Sequence, residues 1–487
     1  MINKVENIPI TASSYPFASA IKRCNFEANG FEEKEYYYEG TSNIYKSGKN
    51  GRPEIRNANC PYVNRMIVRA PKDIVSFSGN VIVEIINPTS DMEIDRQWIL
   101  LRKKIMHSGD IYVGFTSKPN TLKTLVAFDA ERYGRLSWPN PTPDLPFSFS
   151  MDDVYPIMAK DINILNETGL VWDMITDIVV LLREKSEKNP IRAYEPKNIV
   201  LTGWSQSANY LRRYVGIFDN EIIPRYDGYF PCGGVNFVET PINQYEHTLE
   251  QAKTTRITRC TVPFISIQTE SENANLGNFP FKMPDSDKPD FLYRSYEIAG
   301  ASHDTMYGYV DYYAGDPDIK RIAPMLFGPP EYRGSHENGN DYPMEYLFCA
   351  AYHNLQSWIK TGIAPKCCEK IQTNAKGENL RDGFGNSIGG LRTCMINYPT
   401  AHYSAYDDVG VSDAAFTVNS TDNLSLFGYT KPFSAALLKE LYTNLENYRV
   451  LVTEDTKRQV TQGFVRQEDA EDLIELAVRK AAERGLT

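Results

Sequence analysis

A serine hydroxyl is a weak nucleophile until a base takes its proton and a third group aims that base. In this 487-residue chain the serine best placed for such help is Ser205, in Gly203-Trp204-Ser205-Gln206-Ser207. Ile199, Val200 and Leu201 precede it as a short apolar run, which predicts a buried strand. Ala208, Tyr210, Leu211, Tyr214 and Val215 follow at spacings of three and four, which predicts an amphipathic helix. A strand that turns this sharply into a helix puts Ser205 at the apex of a strained turn. The hydroxyl then lies at the carboxyl edge of the sheet, with the helix N-terminus aimed at it. The pattern is G-x-S-x-[GS], a nucleophile elbow in which Ser207 stands where glycine is commoner.

With such an elbow the chain order is nucleophile, acid, histidine. Six histidines are available: His107, His247, His303, His336, His353 and His402. His303, in Ala299-Gly300-Ala301-Ser302-His303-Asp304, comes just after the last expected sheet strand, where a loop can hang an imidazole over the serine. His353 falls inside a predicted helix and reads as packing. His336 sits in a Gly- and Asn-rich loop and reads as exposed. His247 precedes the acids, and His402 comes late, in an irregular stretch. The acid is expected after the apolar run Val262–Gln268, where Thr269-Glu270-Ser271-Glu272-Asn273 offers two carboxylates. Glu272, further into the loop, is preferred, and Glu270 is the alternative. Asp285, paired with Asp287, is a third candidate, but that stretch matches no metal-binding loop. An acyl-transfer oxyanion needs aimed N–H donors. One is expected from Gln206, and the other from Thr89 or Ser90, since Pro88 has no N–H. No HGGG-type loop is present. No metal or organic cofactor is indicated.

The elements that must carry these groups are legible in outline. Residues 1–78 read as a β-rich lead-in, with strands at Glu35–Glu39 and Asn64–Ala70 and a loop at Lys46–Asn59. Gly79–Pro88 reads as a strand, Asp95–His107 as a helix and Ile111–Thr116 as a strand, a βαβ unit and hence a parallel sheet. Residues 119–150 read as loop, and Gly169–Ser186 as a long helix. Strands are expected at Tyr226–Phe230, Val262–Gln268 and Tyr293–Ile298. Residues 79–330 thus form a doubly wound, mostly parallel α/β sheet. Residues 331–487 are an addition, with helices at Glu345–Thr361, Ala435–Tyr448 and Glu468–Arg484 and an irregular stretch at 366–415.

Composition bounds the partners. The chain is 42% hydrophobic and 23% charged, which supports a sizeable folded core. A net charge of −10 argues against nucleic acid, which needs a basic footprint. No run of eighteen apolar residues is present, so no membrane span is expected. The N-terminus does not resemble a secretory leader, and the eight scattered cysteines include no C-x-x-C pair. Together these predict a cytoplasmic protein with free thiols.

The motifs together resemble the bacterial α/β-hydrolase domain-containing proteins whose elbow reads G-x-S-Q-S. The resemblance runs through Tyr36–Tyr45, Arg65–Pro71, Val83–Pro88, Glu131–Gly134, Tyr296–His303 and Gly389–Arg392, so it spans nearly the whole chain. It implies an α/β-hydrolase fold and a serine hydrolase using Ser205, an acid from Glu270–Glu272, and His303. It also implies that the C-terminal addition belongs to one compact unit. The expected reaction is hydrolysis of a small carboxylic ester through an acyl-enzyme. The alternatives are acyl transfer to another acceptor on the same triad, or a binding protein that has kept the fold.

Overall fold

The computed structural model describes residues 1–49, 52–150, 162–219, 224–234, 240–246, 257–274, 283–326, 330–331, 336–406 and 426–487. The chain divides into two compact units. The first comprises Met1–Phe264, Lys288–Leu292 and Gly315–Pro329; the second comprises Ile265–Asp287, Tyr293–Ala314 and Pro330–Thr487.

The first unit opens with three antiparallel strands, β1 (Ile2–Ile8), β2 (Phe31–Ser47) and β3 (Pro53–Pro71). β2 and β3 pair from Phe31↔Pro71 to Ser47↔Pro53. The expected loop at 46–59 is therefore mostly hairpin. Its polar composition reflects the exposed outer half of β3, where little is buried on either face. The two-residue period of β2 turns Glu33 and Glu35 inward with Phe31 and Tyr37. Buried carboxylates need bonded cations, and the motifs Arg65–Pro71 and Glu131–Gly134 supply them. Arg69 Nε lies 2.8 Å from Glu33, and Arg65 Nε lies 2.7 Å from Glu35. Arg132 Nε and Tyr133 Oη donate to Glu35 at 2.6 and 2.8 Å.

Strands β4 (Asn80–Ile85), β5 (Ile111–Phe115), β6 (Asn198–Trp204) and β7 (Gly228–Cys232) form the parallel centre. The order in this unit is β1-β2-β3-β5-β4-β6-β7, with β3 antiparallel to β5. Nearly every side chain of β4, β5 and β6 is buried, which is why these strands read as continuous apolar runs rather than alternating ones. Helices Arg96–Ser108, Val171–Arg183 and Gln206–Arg213 lie between successive parallel strands. The order reverses at β4, and the crevice beyond the carboxyl ends at such a reversal is where ligands bind in open α/β sheets. β4 and β6 pair in parallel up to Ile85↔Gly203, so the Pro88–Ser90 turn and Ser205 leave the sheet at the same edge. Two short helices, Leu122–Phe128 and Ala130–Tyr133, occupy part of the stretch expected to be loop.

One ionisable group lies in the middle of this apolar centre. Glu84 of β4 is fully buried and accepts Gln97 N–H at 3.0 Å, Trp98 N–H at 3.3 Å and Tyr112 Oη–H at 2.7 Å. It caps the helix Arg96–Ser108 in place of Asp95, whose carboxylate pairs with Arg69 at 2.6 Å. Burial, with Asp95 nearby, pushes the Glu84 carboxyl up to about 8. An unfolded chain releases that proton near pH 4.3 or so. Between those values the fold holds a proton that the unfolded chain has lost, so this group makes stability fall as pH rises. Urea midpoints of the parent are expected to decline from about pH 5 to about pH 8 more steeply than those of Glu84→Gln. Parallel curves for the two proteins would contradict the assignment.

The second unit carries parts of β8 (Cys260–Thr269), β9 (Ser286–Lys288) and β10 (Phe291–Ile298), which follow one another in the order β8-β10-β9. It also holds the helix Glu345–Thr361 and an antiparallel pair, β11 (Ala401–Ser404) with β12 (Tyr429–Pro432). β11 and the short helix Cys394–Asn397 fall within the stretch expected to be irregular. The single helix expected at 435–448 is two, Ala435–Tyr442 and Leu445–Gln462. Thr443 takes a φ of 68°, and Asn444 starts a new helix by accepting Asn447 N–H at 2.9 Å. No helix among the described residues is long and apolar enough to cross a membrane.

Candidate active site

Ser205 lies between β6 and the helix Gln206–Arg213 with φ 56° and ψ −117°, a conformation costly to any residue with a Cβ. Its neighbours impose it. Ser205 N–H donates to Cys232 C=O at 2.9 Å, and Asn87 Nδ2 donates to Trp204 C=O at 2.8 Å, so the ends of β7 and β4 hold the turn from both sides. A Cβ on Gly203 would lie 2.7 Å from the Ser207 backbone, so strand and helix approach too closely for any other residue. Ser207 is more than a small residue here, because its hydroxyl donates to Ile86 C=O at 3.2 Å and ties the elbow helix to the end of β4. Neither this bond nor the one from Asn87 leaves a sequence signal, since each joins segments more than a hundred residues apart.

Gln206 is the first residue of its helix, where a backbone N–H has no acceptor within the helix. Of the two expected partners for it, Thr89 gives its N–H to Asn87 Oδ1 at 2.9 Å. Ser90 is a buried residue of the same turn. The Thr89 hydroxyl lies 3.4 Å from Gln206 Oε1.

The second unit brings together the acid and base candidates. Glu270–Ala274 is a short helix continuing from β8, so both carboxylates are carried by ordered backbone rather than by a loop. His303 and Glu272 are both buried, with His303 Nδ1 at 2.5 Å from Glu272 Oε1. Glu272 is fixed in turn, accepting Thr269 N–H at 2.5 Å and Thr269 Oγ–H at 3.0 Å. A carboxylate can only accept, so Nδ1 is the donor of this bond, and in the neutral ring that leaves the lone pair on Nε2, the form a general base requires. Glu270 is occupied elsewhere, by Gly300 N–H at 2.7 Å and by Arg381. Asp285 accepts Ser295 N–H at 2.7 Å, and Asp287 pairs with Arg294 at 2.6 Å.

The other histidines are distributed differently from expectation. His353 is on an exposed part of its helix rather than in packing. His336 is half-buried, stacked on Tyr429 with ring centres 3.6 Å apart, and His402 meets the same ring edge-on. His107 is exposed, and His247 lies outside the described residues.

Among solved structures the chain is similar to a lipase/esterase from Lactobacillus plantarum, at 10% identity over 50% of this chain and 89% of that one, with a TM-score of 0.28. It is also similar to a carboxylesterase from Lactobacillus plantarum WCFS1, at 12% identity over 42% and 67%, with a TM-score of 0.26. A third likeness is to an alpha-beta serine hydrolase homologue from Coxiella burnetii, at 11% identity over 54% and 90%, with a TM-score of 0.27. No curated protein matches the sequence. A serine turned out of a parallel strand at a point where the sheet reverses is what one family of folds is built to present. Residues 4–475 match that family's model, and the chain belongs to the family described as alpha/beta hydrolase domain.

Proposed function

We propose that the protein is a serine hydrolase that cleaves a small carboxylic ester through an acyl-enzyme on Ser205, His303 and Glu272. The observation that carries this reading is the buried His303–Glu272 pair at 2.5 Å, an imidazole held in the tautomer of a general base. It supports a triad because the chain order elbow serine, acid, histidine is that of the fold. Ser205 Oγ attacks the ester carbonyl while His303 Nε2 takes its proton. The Gln206 N–H and a donor from the Thr89–Ser90 turn hold the oxyanion. The tetrahedral intermediate collapses, the C–O bond to the alcohol breaks, and His303 returns the proton to the leaving oxygen. Water, activated by the same imidazole, then releases the acid and restores Ser205.

The test needs no knowledge of the substrate. A fluorophosphonate is expected to add one adduct to the parent protein, read by intact mass and mapped to Ser205. His303→Ala should slow labelling by on the order of 100-fold or more. A parent protein that takes up no adduct would overturn the reading.

A further inference from the structure

The loop that carries His303 is held peptide by peptide. Gly300 N–H donates to Glu270 Oε2 at 2.7 Å, and Gly300 C=O accepts Asn340 Nδ2 at 2.8 Å. Ala301 C=O accepts Glu270 N–H at 3.1 Å, and His303 N–H donates to Ser271 Oγ at 2.9 Å. Asp304 N–H donates to Leu426 C=O at 2.9 Å. Gly300 itself has a φ of 82°, and a Cβ there would stand 2.7 Å from Ile396.

The groups that do the holding are themselves held from after residue 330. Glu270 is fully buried, and its second oxygen receives the guanidinium of Arg381, 111 residues away. Tyr406 Oη donates to Glu270 C=O at 3.0 Å, and Ser271 Oγ donates to Ala405 C=O at 2.8 Å. Asn340 Nδ2 also reaches Ser404 C=O at 2.8 Å, and its Oδ1 accepts Tyr342 N–H at 3.1 Å. A buried carboxylate stays ionised and in place only while its cation is there. Without Arg381, Glu270 would lose the partner that fixes its second oxygen, and Gly300 N–H would lose a fixed acceptor.

We infer that Glu270, held by Arg381, and Asn340 are positioning residues that fix the Gly300 peptide from both sides and thereby aim His303. The C-terminal segment is then part of the machinery that sets the base rather than a cover added to a finished fold. Misplacement of a catalytic group by about 1 Å costs on the order of 100-fold in rate, so a clamp at this distance from the imidazole matters. The inference rests on the proposed role of His303 as the base for Ser205.

The experiment compares the full-length parent with Arg381→Gln and Arg381→Lys. Three quantities are read: the fluorophosphonate labelling rate, the downfield proton resonance of the His303 Nδ1–H bonded to Glu272, and the thermal midpoint. Arg381 is about one third exposed, so these variants should fold. Arg381→Gln is expected to label about 10- to 100-fold more slowly, with the resonance shifted or broadened. Arg381→Lys, which keeps a cation for Glu270, should recover most of both. Labelling of Arg381→Gln at the parent rate overturns the inference, as does slower labelling with the resonance unchanged. A parent that fails to label overturns the triad reading, and this inference with it.

Discussion

Ser205→Ala is expected to lower ester turnover by about 10⁴-fold or more, while Ser205→Gly loses the same activity yet unfolds at a higher temperature than the parent. The kinetic half follows from the proposed chemistry. Without Oγ there is no acyl-enzyme, and what remains is the oxyanion donors acting on attack by water. The stability half follows from the backbone. Ser205 has a Cβ at φ 56° and ψ −117°, a region that costs about 1–3 kcal/mol for a residue other than glycine. Glycine removes that cost but gives the unfolded chain more freedom, worth about 0.5–1 kcal/mol in the other direction. The balance favours Ser205→Gly by about 1 kcal/mol, or roughly 1–2 °C in a chain of this size. Alanine keeps the Cβ and should leave the midpoint where it is. Turnover retained in Ser205→Ala would end the nucleophile assignment. A lower midpoint in Ser205→Gly would mean that the hydroxyl contributes more to the fold than the strain costs.

That strained turn could be read from the sequence because its signals are local. A β-branched run, a glycine two residues before the serine and a helical period after it all lie within twenty residues. The parallel strands were legible for a similar reason, since Val81–Val83 and Ile199–Leu201 are buried on both faces and leave unbroken apolar runs. The lead-in was harder. The outer ends of β2 and β3 carry polar residues on both faces, so composition suggested a loop where hydrogen bonding makes a hairpin. Nothing local marks Glu33 and Glu35 as buried, because their cations come from other strands and helices. The two acid candidates, Glu270 and Glu272, sit two residues apart on one turn, and the local ground for preferring Glu272 was its place further along the chain. They differ in their partners: one meets His303, while the other meets Gly300 and an arginine 111 residues downstream. Arg381, Asn340 and Ser271 carried no signal at all, since each acts by a single side-chain bond across the fold.

That difference in partners makes the second large prediction. Glu272→Gln is expected to lower kcat by about 10³- to 10⁴-fold with little change in KM. The substitution barely changes volume, so the effect must come from hydrogen-bond polarity. Glu272 accepts at both oxygens, from His303 Nδ1 and Thr269 Oγ on one and from Thr269 N–H on the other. A glutamine side chain has one acceptor and one donor end. If its oxygen faces His303, its NH₂ faces the Thr269 N–H, and two donors meet in a buried site. If it flips to satisfy Thr269, the NH₂ faces Nδ1 and forces the imidazole proton onto Nε2, where it blocks the base. Either arrangement costs kcat and leaves substrate contacts alone. Glu270→Gln makes the internal comparison. Glutamine there can still accept Gly300 N–H through its one oxygen, so the expected loss is nearer 10-fold, the scale of a group that positions rather than reacts. Steady-state kinetics on the pair therefore rank the two carboxylates directly. A larger loss in Glu270→Gln than in Glu272→Gln would reverse their roles, making the carboxylate bound to Arg381 the one on which catalysis depends.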